Sequence, residues 1–249
     1  MPQGRIRIGI GGWTYPPWRG VFYPERLPQK RELEYASQRL SAIEINSTFY
    51  GRQSEKSWRT WGETVPDGFQ FAIKGSRFCV TRSRLREGAE GIGNFFGQGF
   101  VALGPKLGPI LWQFAPRRTF DADDLGGFLK LLPEEVEGVQ IRHAIEPRHE
   151  SFRDEKFFQL CRDRNVAVVL EDSDEYPTID IDTADFAYAR LQRMREEIPN
   201  GYAEDALDGF ANQAACLSKG GRDAYIFMIN GAKVRAPAAA VALSHRLAV

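Results

Sequence analysis

The sequence predicts an α/β fold, a (β/α)8 TIM-like barrel made by a single domain over residues 1–249. Three observations lead there. Eight apolar or alternating runs recur along the chain, and most are separated by stretches of helical periodicity. Such alternation implies parallel strands joined by right-handed crossovers. Eight units in 249 residues is also the size expected of a closed barrel.

The first predicted strand is Arg5–Gly12. It runs into "GIGGWTYPPW", where Gly9, Gly11 and Gly12 lack the third spaced glycine of a dinucleotide turn. Pro16 and Pro17 then block an immediate helix, so a wide loop is expected rather than the open doubly wound sheet that is the competing architecture. A helix over Glu32–Leu40 carries Leu33, Ala36 and Leu40 on one side, and the second strand is Ala42–Phe49. Ser54–Trp61 places Trp58 and Trp61 one turn apart, ahead of strands at Phe69–Gly75 and Pro109–Ala115. Asp121–Leu132 opens with acids, where the helix dipole favours them. After the strand Ala144–Arg148, the helix Asp154–Arg164 is acidic first and basic last, with Phe157, Phe158 and Cys161 inward. Strands at Val166–Asp172, Phe186–Leu191 and Ala224–Asn230, with helices at Tyr202–Lys219 and Ala238–Leu247, complete the series.

Helices cover the outside of a parallel barrel, so the polar face of an alternating strand must look into the lumen. In "AIEINSTFY" Ile43 and Ile45 go to the helices, and Glu44 and Asn46 go inside. The same reasoning turns Lys74, Gln113, Glu146, Arg148, Asp172, Arg190 and Asn230 toward the C-terminal mouth. Acids and bases balance there, which permits ion pairing in a low-dielectric interior. Two readings follow: a functional pocket, or a structural ion-pair network that closes the barrel.

For a functional pocket, Glu44 and Glu146 are the candidate acid/base pair. Lys74 is the candidate group to polarise a carbonyl, neutralise an oxyanion or form a Schiff base if desolvated. Asn46 and Gln113 would orient a ligand, Arg148 would hold negative charge, and Trp13 and Tyr15 would wall the site or plug it. Tyr50, Arg77, His149, Asp172, Arg190 and Asn230 complete the candidate ligand-binding set. His143 and His245 read as surface or loop residues. With three histidines, a multinuclear zinc site is poorly supported, and one divalent ion on Glu44, Glu146 and Asp172 is a minor alternative. No metal or cofactor is therefore expected.

Lys and Arg together equal Asp and Glu at 33 each, so no global field points to nucleic acid or an acidic membrane. Charge is nevertheless uneven. Lys74, Arg77, Arg82, Arg84 and Arg86 follow one another without an acid, and Arg117, Arg118, Arg148 and Arg153 lie after the next two strands. This basic mouth suggests a small anionic or polyhydroxylated ligand. The alternatives are a nucleic-acid-binding or nuclease-like barrel using these loops, and a non-enzymatic partner-binding barrel. Three unpaired-looking cysteines, no apolar run of membrane-spanning length and no signal-peptide core predict a cytoplasmic protein.

The segments "GWTYPPWRGVFYP", "EINSTFY", "FAIKGSR", "LGPILWQFAP", "IEPRHESF" and "FAYARL" resemble, in order and over nearly the whole chain, the signatures of the domain-of-unknown-function family seventy-two, also called YecE-like. The resemblance implies a TIM-barrel-like fold and supplies no activity. It carries over Trp13, Tyr15, Glu44, Asn46, Thr48, Phe49, Tyr50, Lys74, Gln113, Glu146, Arg148 and His149. Two segments depart from the pattern: "RLQR" at Arg190–Arg193, where His and Gly often follow the Arg-Leu pair, and "FMINGAK" at Phe227–Lys233, with one Asn where two are common.

Overall fold

The structure is a computed structural model and describes residues 3–249. In chain order the elements are β1 (Ile6–Gly11), α1 (Glu32–Ser37), β2 (Ala42–Ile45), α2 (Glu55–Thr64), β3 (Gln70–Lys74), α3 (Arg77–Val80), α4 (Ala89–Phe96) and β4 (Leu107–Gln113). They continue with α5 (Ala122–Leu131), β5 (Glu135–Val136), β6 (Val139–Gln140), β7 (His143–Glu146), α6 (Glu155–Arg162), β8 (Val166–Val168), β9 (Leu170–Asp172), β10 (Phe186–Leu191), α7 (Glu204–Leu217), β11 (Asp223–Met228) and α8 (Ala236–Leu247).

Nine strands form one ladder in the order β8-β7-β4-β3-β2-β1-β11-β10-β9, and every pairing in it is parallel. β8 and β9 are two halves of one run interrupted at Val169, so the barrel has eight staves and closes on this one. The lower half pairs with β7 and the upper half with β10. At Val169 the backbone N–H donates to the Ile145 carbonyl at 2.9 Å, which keeps the run attached to β7 across the break. The free edge of β8 is satisfied by a side chain: Thr183 Oγ1 accepts from Val168 N–H at 3.0 Å and donates to the Val166 carbonyl at 2.7 Å.

Eight predicted strands match the eight staves, but the second is shorter than expected. β2 ends at Ile45, and Ser47–Phe49 turn as a 3-10 helix. Thr48 Oγ1 reaches both the Ile45 carbonyl at 3.1 Å and the Lys74 carbonyl at 2.6 Å, tying the ends of β2 and β3 together. Two helices in the β3–β4 connection, α3 and α4, and the β5–β6 hairpin were not expected from the sequence. They are short, four and eight residues in the helices and two in each strand, too few for a periodic pattern to stand out. Among the described residues, no helix is long and apolar enough to cross a membrane.

Two cores flank the staves. Outside, Ile8, Ile43, Ile45, Phe71, Ile73, Ile110, Trp112 and Ile145 pack under the helices. Inside, Ala42, Ala72, Ala144 and Ala167 face Tyr188, Phe186, Tyr225 and Phe227, so aromatic rings from β10 and β11 fill a lumen that alanines on the other staves leave open. Gly9 belongs to this layer because a Cβ there would stand 2.1 Å from the Ala42 carbonyl oxygen. Below, Asp223 holds Arg142 at 2.9 Å and Arg7 at 3.3 Å and closes the bottom. His143 corrects an expectation. It is buried at the outer start of β7, where Nδ1 accepts from Trp112 Nε1 at 3.1 Å and Nε2 meets the Pro133 carbonyl at 2.8 Å. Burial lowers its pKa to about 4, so it is neutral in the core.

Candidate functional site

Above the aromatic layer, the inward positions near the C-terminal strand ends become ionic. Arg190 on β10 is the centre, with 1% of its surface exposed. Its Nε and Nη2 donate to the two oxygens of Glu44 on β2 at 3.1 and 3.0 Å, and its Nη1 donates to Glu146 on β7. Tyr188, two residues earlier on the same face, donates its hydroxyl to Glu44 Oε2 at 2.7 Å. Glu146 also accepts from Gln113 Nε2 at 2.9 Å and from Arg148 Nε at 2.6 Å. Arg148 Nη2 lies 3.6 Å from Glu171 Oε1 on β9. Glu171 in turn accepts from Gln192, whose Oε1 accepts from Asn230 Nδ2 at 2.7 Å.

Three carboxylates thus lie in a buried layer with two guanidiniums. Burial opposes ionisation of Glu146, but Arg190, Arg148, Gln113 and Lys74 overcome it and hold its pKa low. Glu171 goes the other way. Burial, and then the charge of Glu146, push its pKa up to about 8, and its Oε2 is buried without a partner. Of the pair, Glu171 is the one pushed toward its protonated form, since Glu146 has the stronger cationic neighbours.

A pocket of about 370 Å³ opens over this layer. Its wall includes Trp18, Asn46, Tyr50, Lys74, Gln113 and Asn230, and its remaining charges are Arg148, Arg190 and Lys233. Four cations and no carboxylate face the cavity. Neither lysine is held by an acid. Among the described residues Lys74 Nζ has no hydrogen-bond or ion-pair partner, only the face of the Phe49 ring at 4.7 Å. Burial, then the nearby Arg190, lower its pKa to about 8. Lys233 lies 4.5 Å from the Tyr15 ring centre and 5.8 Å from that of Trp18.

The structure brings together Glu44, Asn46, Tyr50, Lys74, Gln113, Glu146, Arg148, Arg190 and Asn230. It separates five other candidates from them. Trp13 packs edge-on against Trp61 at 5.0 Å and near Phe71, in the helix layer, and Tyr15 packs on Trp18 at 5.3 Å. Trp18, not Trp13, walls the pocket, fixed by its Nε1–H donating to the Lys233 carbonyl at 2.8 Å. Arg77 is exposed on α3, stacked on Phe78. His149 turns into its own loop and accepts from Ser151 N–H at 3.1 Å. Asp172 faces outward to Arg193 and Tyr202, and Glu171 occupies the inward position assigned to it. Glu44, Glu146 and Asp172 consequently share no cavity, and among the described residues no group of three His, Cys, Asp or Glu is arranged to hold a metal.

The sequence held a usable signal for Glu171. Ala42-x-Glu44, Ala72-x-Lys74 and Ala144-x-Glu146 each place a small inner-layer residue two positions before a mouth residue. Ala167, Val169 and Glu171 continue that phase, which leaves Asp172 outside. Lys233 and Trp18 lie in loops, where no periodicity reveals direction.

A second, wider cleft of about 710 Å³ lies off the barrel axis, between the segment after α3 and the start of α5. Five arginines line it, Arg82, Arg84, Arg86, Arg117 and Arg118, together with Asp121, Asp123 and Asp124. Asp124 orders its wall by accepting from the Leu85 and Arg86 N–H groups at 2.9 and 3.1 Å, and lies 3.5 Å from Arg118.

Comparisons agree with this architecture. A DUF72 family protein from Thermotoga maritima superposes with a TM-score of 0.80 at 22% identity, over 98% of this chain and 100% of that one. A DUF72 family protein from Enterococcus faecalis gives 0.74 at 14% identity, over 99% and 98%. A fusion of a xylose isomerase-like TIM barrel with a 4-hydroxyphenylpyruvate dioxygenase gives 0.54 at 14% identity, over 99% of this chain and 44% of that one. No curated protein matches the sequence. The model of the family described as "Protein of unknown function DUF72" matches residues 7–249, and the chain belongs to that family.

Proposed function

We propose that this barrel binds, and acts on, a small anionic metabolite in the pocket at its C-terminal mouth. The observation that carries the reading is the lining: Lys74, Arg148, Arg190 and Lys233 face the cavity, and no carboxylate does. Glu44 and Glu146 lie underneath, with no exposed surface, which favours a supporting role over that of the acid/base pair that alternation suggested. Their role is to hold two guanidiniums in place. Asn46, Gln113 and Asn230 add amide groups suited to the polar remainder of a carboxylate- or phosphate-bearing ligand.

Thermal denaturation tests this. Phosphate, pyruvate or citrate at tenfold excess over Kd is expected to raise Tm by roughly 3–6 °C. Lys233→Met is expected to reduce the rise, and glucose to produce none. A sugar that stabilises as well as the anions, with Lys233→Met without effect, would overturn the reading. A second reading rests on the arginine-lined cleft, which suits the phosphate backbone of a nucleic acid. It requires affinity that falls steeply with salt, and absence of binding at low salt would remove it.

A further inference from the structure

Of the cations lining the mouth pocket, two are held by acids: Arg190 is shared by Glu44 and Glu146, and Arg148 is held by Glu146. The two lysines lie over aromatic rings, Lys233 exposed and Lys74 more deeply set. Lys74 leaves the end of β3 with its carbonyl fixed by Thr48 and its side chain lining the cavity, and among the described residues no acid lies within ion-pair distance of its amine. A half-buried amine among cations is suited to act as a nucleophile, because its surroundings make the neutral form more accessible than it is for a solvated lysine.

We propose that Lys74 condenses with the carbonyl carbon of a small oxo-acid to form an imine, while Arg148 and Lys233 hold the acid's carboxylate. This rests on the anion-pocket reading and names its substrate class. The neutral amine adds to the carbonyl carbon, forming an N–C bond, and a proton moves to the oxygen. The C–O bond then breaks, and the two amine hydrogens leave with the oxygen as water. Nothing is oxidised or reduced. An amine that titrates near 8 is neutral at pH 7 on the order of a hundredfold more often than a solvated lysine.

Reductive trapping tests the proposal. The full chain is incubated with pyruvate and cyanoborohydride, and the products are read by intact mass and peptide mapping. One adduct is expected, on Lys74, forming at least about tenfold faster than on the exposed Lys30 and Lys56. Its rate should level off as pH rises through about 8, and phosphate should suppress it. Acetone, which lacks the carboxylate, should react more slowly. Lys74→Arg should lose the adduct, whereas Lys56→Arg, on the exposed face of α2, should keep both the adduct and the pyruvate-dependent rise in Tm. If Lys74→Arg does not fold, the peptide map of the unaltered chain decides alone. Labelling no faster at Lys74 than elsewhere, with the Tm rise intact, removes the covalent chemistry and leaves the anion pocket standing. Absence of both the adduct and the Tm rise overturns both.

Discussion

Arg190 converts two buried acids into a scaffold. Each oxygen of Glu44 and one of Glu146 accepts from its guanidinium, and no other residue could span the lumen between β2 and β7 with so many fixed donors. Glu44→Gln should therefore cost about 3–5 kcal/mol, because it strands part of a buried charge, and should lower Tm by roughly 10 °C. It also frees positive charge beneath the pocket. Anion affinity should then rise a few-fold while stability falls, which calorimetric titration beside a melt would show. A catalytic or ligand-contacting Glu44 would give the opposite sign for affinity. Glu171 makes a separate prediction. Its carboxyl is protonated in the folded chain up to about pH 8, whereas unfolded it ionises near 4.5. The folded state thus binds the extra proton, and this group's contribution is full below 4.5 and lost as pH rises to 8. Glu171→Gln mimics the protonated form, so its stability relative to the natural chain should climb steadily between those limits in denaturant titrations at each pH. A flat difference would show that the proton lies elsewhere.

Among the elements, the interrupted stave is the place where the barrel depends on a single side chain. β8 has no strand on its second edge, and Thr183 supplies the missing acceptor and donor. Thr183→Val should cost about 2 kcal/mol, and hydrogen exchange at the Val168 amide should accelerate more than at amides of β2 or β3. The end of β3 is constrained in another way. A Cβ on Gly75 would meet the Trp112 ring at 2.3 Å, so Gly75→Ala must displace a tryptophan of the outer core and with it the loop that follows Lys74. How far such features were legible follows from their physics. Strands buried on both faces leave a pattern in the sequence, and all eight staves were found by it. Glu44, Lys74, Glu146 and Arg190 were assigned inward on the same basis. Asp172 was assigned inward too, whereas Glu171 takes that position, because the two are adjacent carboxylates and a one-residue change of phase exchanges their faces. Trp13, Tyr15, Arg77 and His149 lie outside the pocket lining for a different reason. They lie in loops and short turns, where direction is fixed by tertiary contacts such as Trp13 on Trp61.

For the whole molecule, zero net charge conceals a polarised surface. The arginine-lined cleft and the mouth pocket both lie at the C-terminal end of the staves, and each has more cations than acids in its lining. The protein should be retained on a cation exchanger at pH 7 despite a sequence pI of about 6.9, and Arg84→Glu with Arg86→Glu should move it to markedly lower elution salt. Elution in the void would show that Asp121, Asp123 and Asp124 cancel the arginines.

The carboxylates beneath the pocket floor have one more consequence. The guanidiniums that charge the cavity are held in place by acids outside its lining, whereas Asn46, Tyr50, Gln113 and Asn230 supply the groups that would distinguish one anion from another. Foundation and lock are separate parts. Exchanging the amides for other side chains would retune selectivity without disturbing the buttress below, so a lineage built on this barrel has a route to new substrates that leaves its core intact.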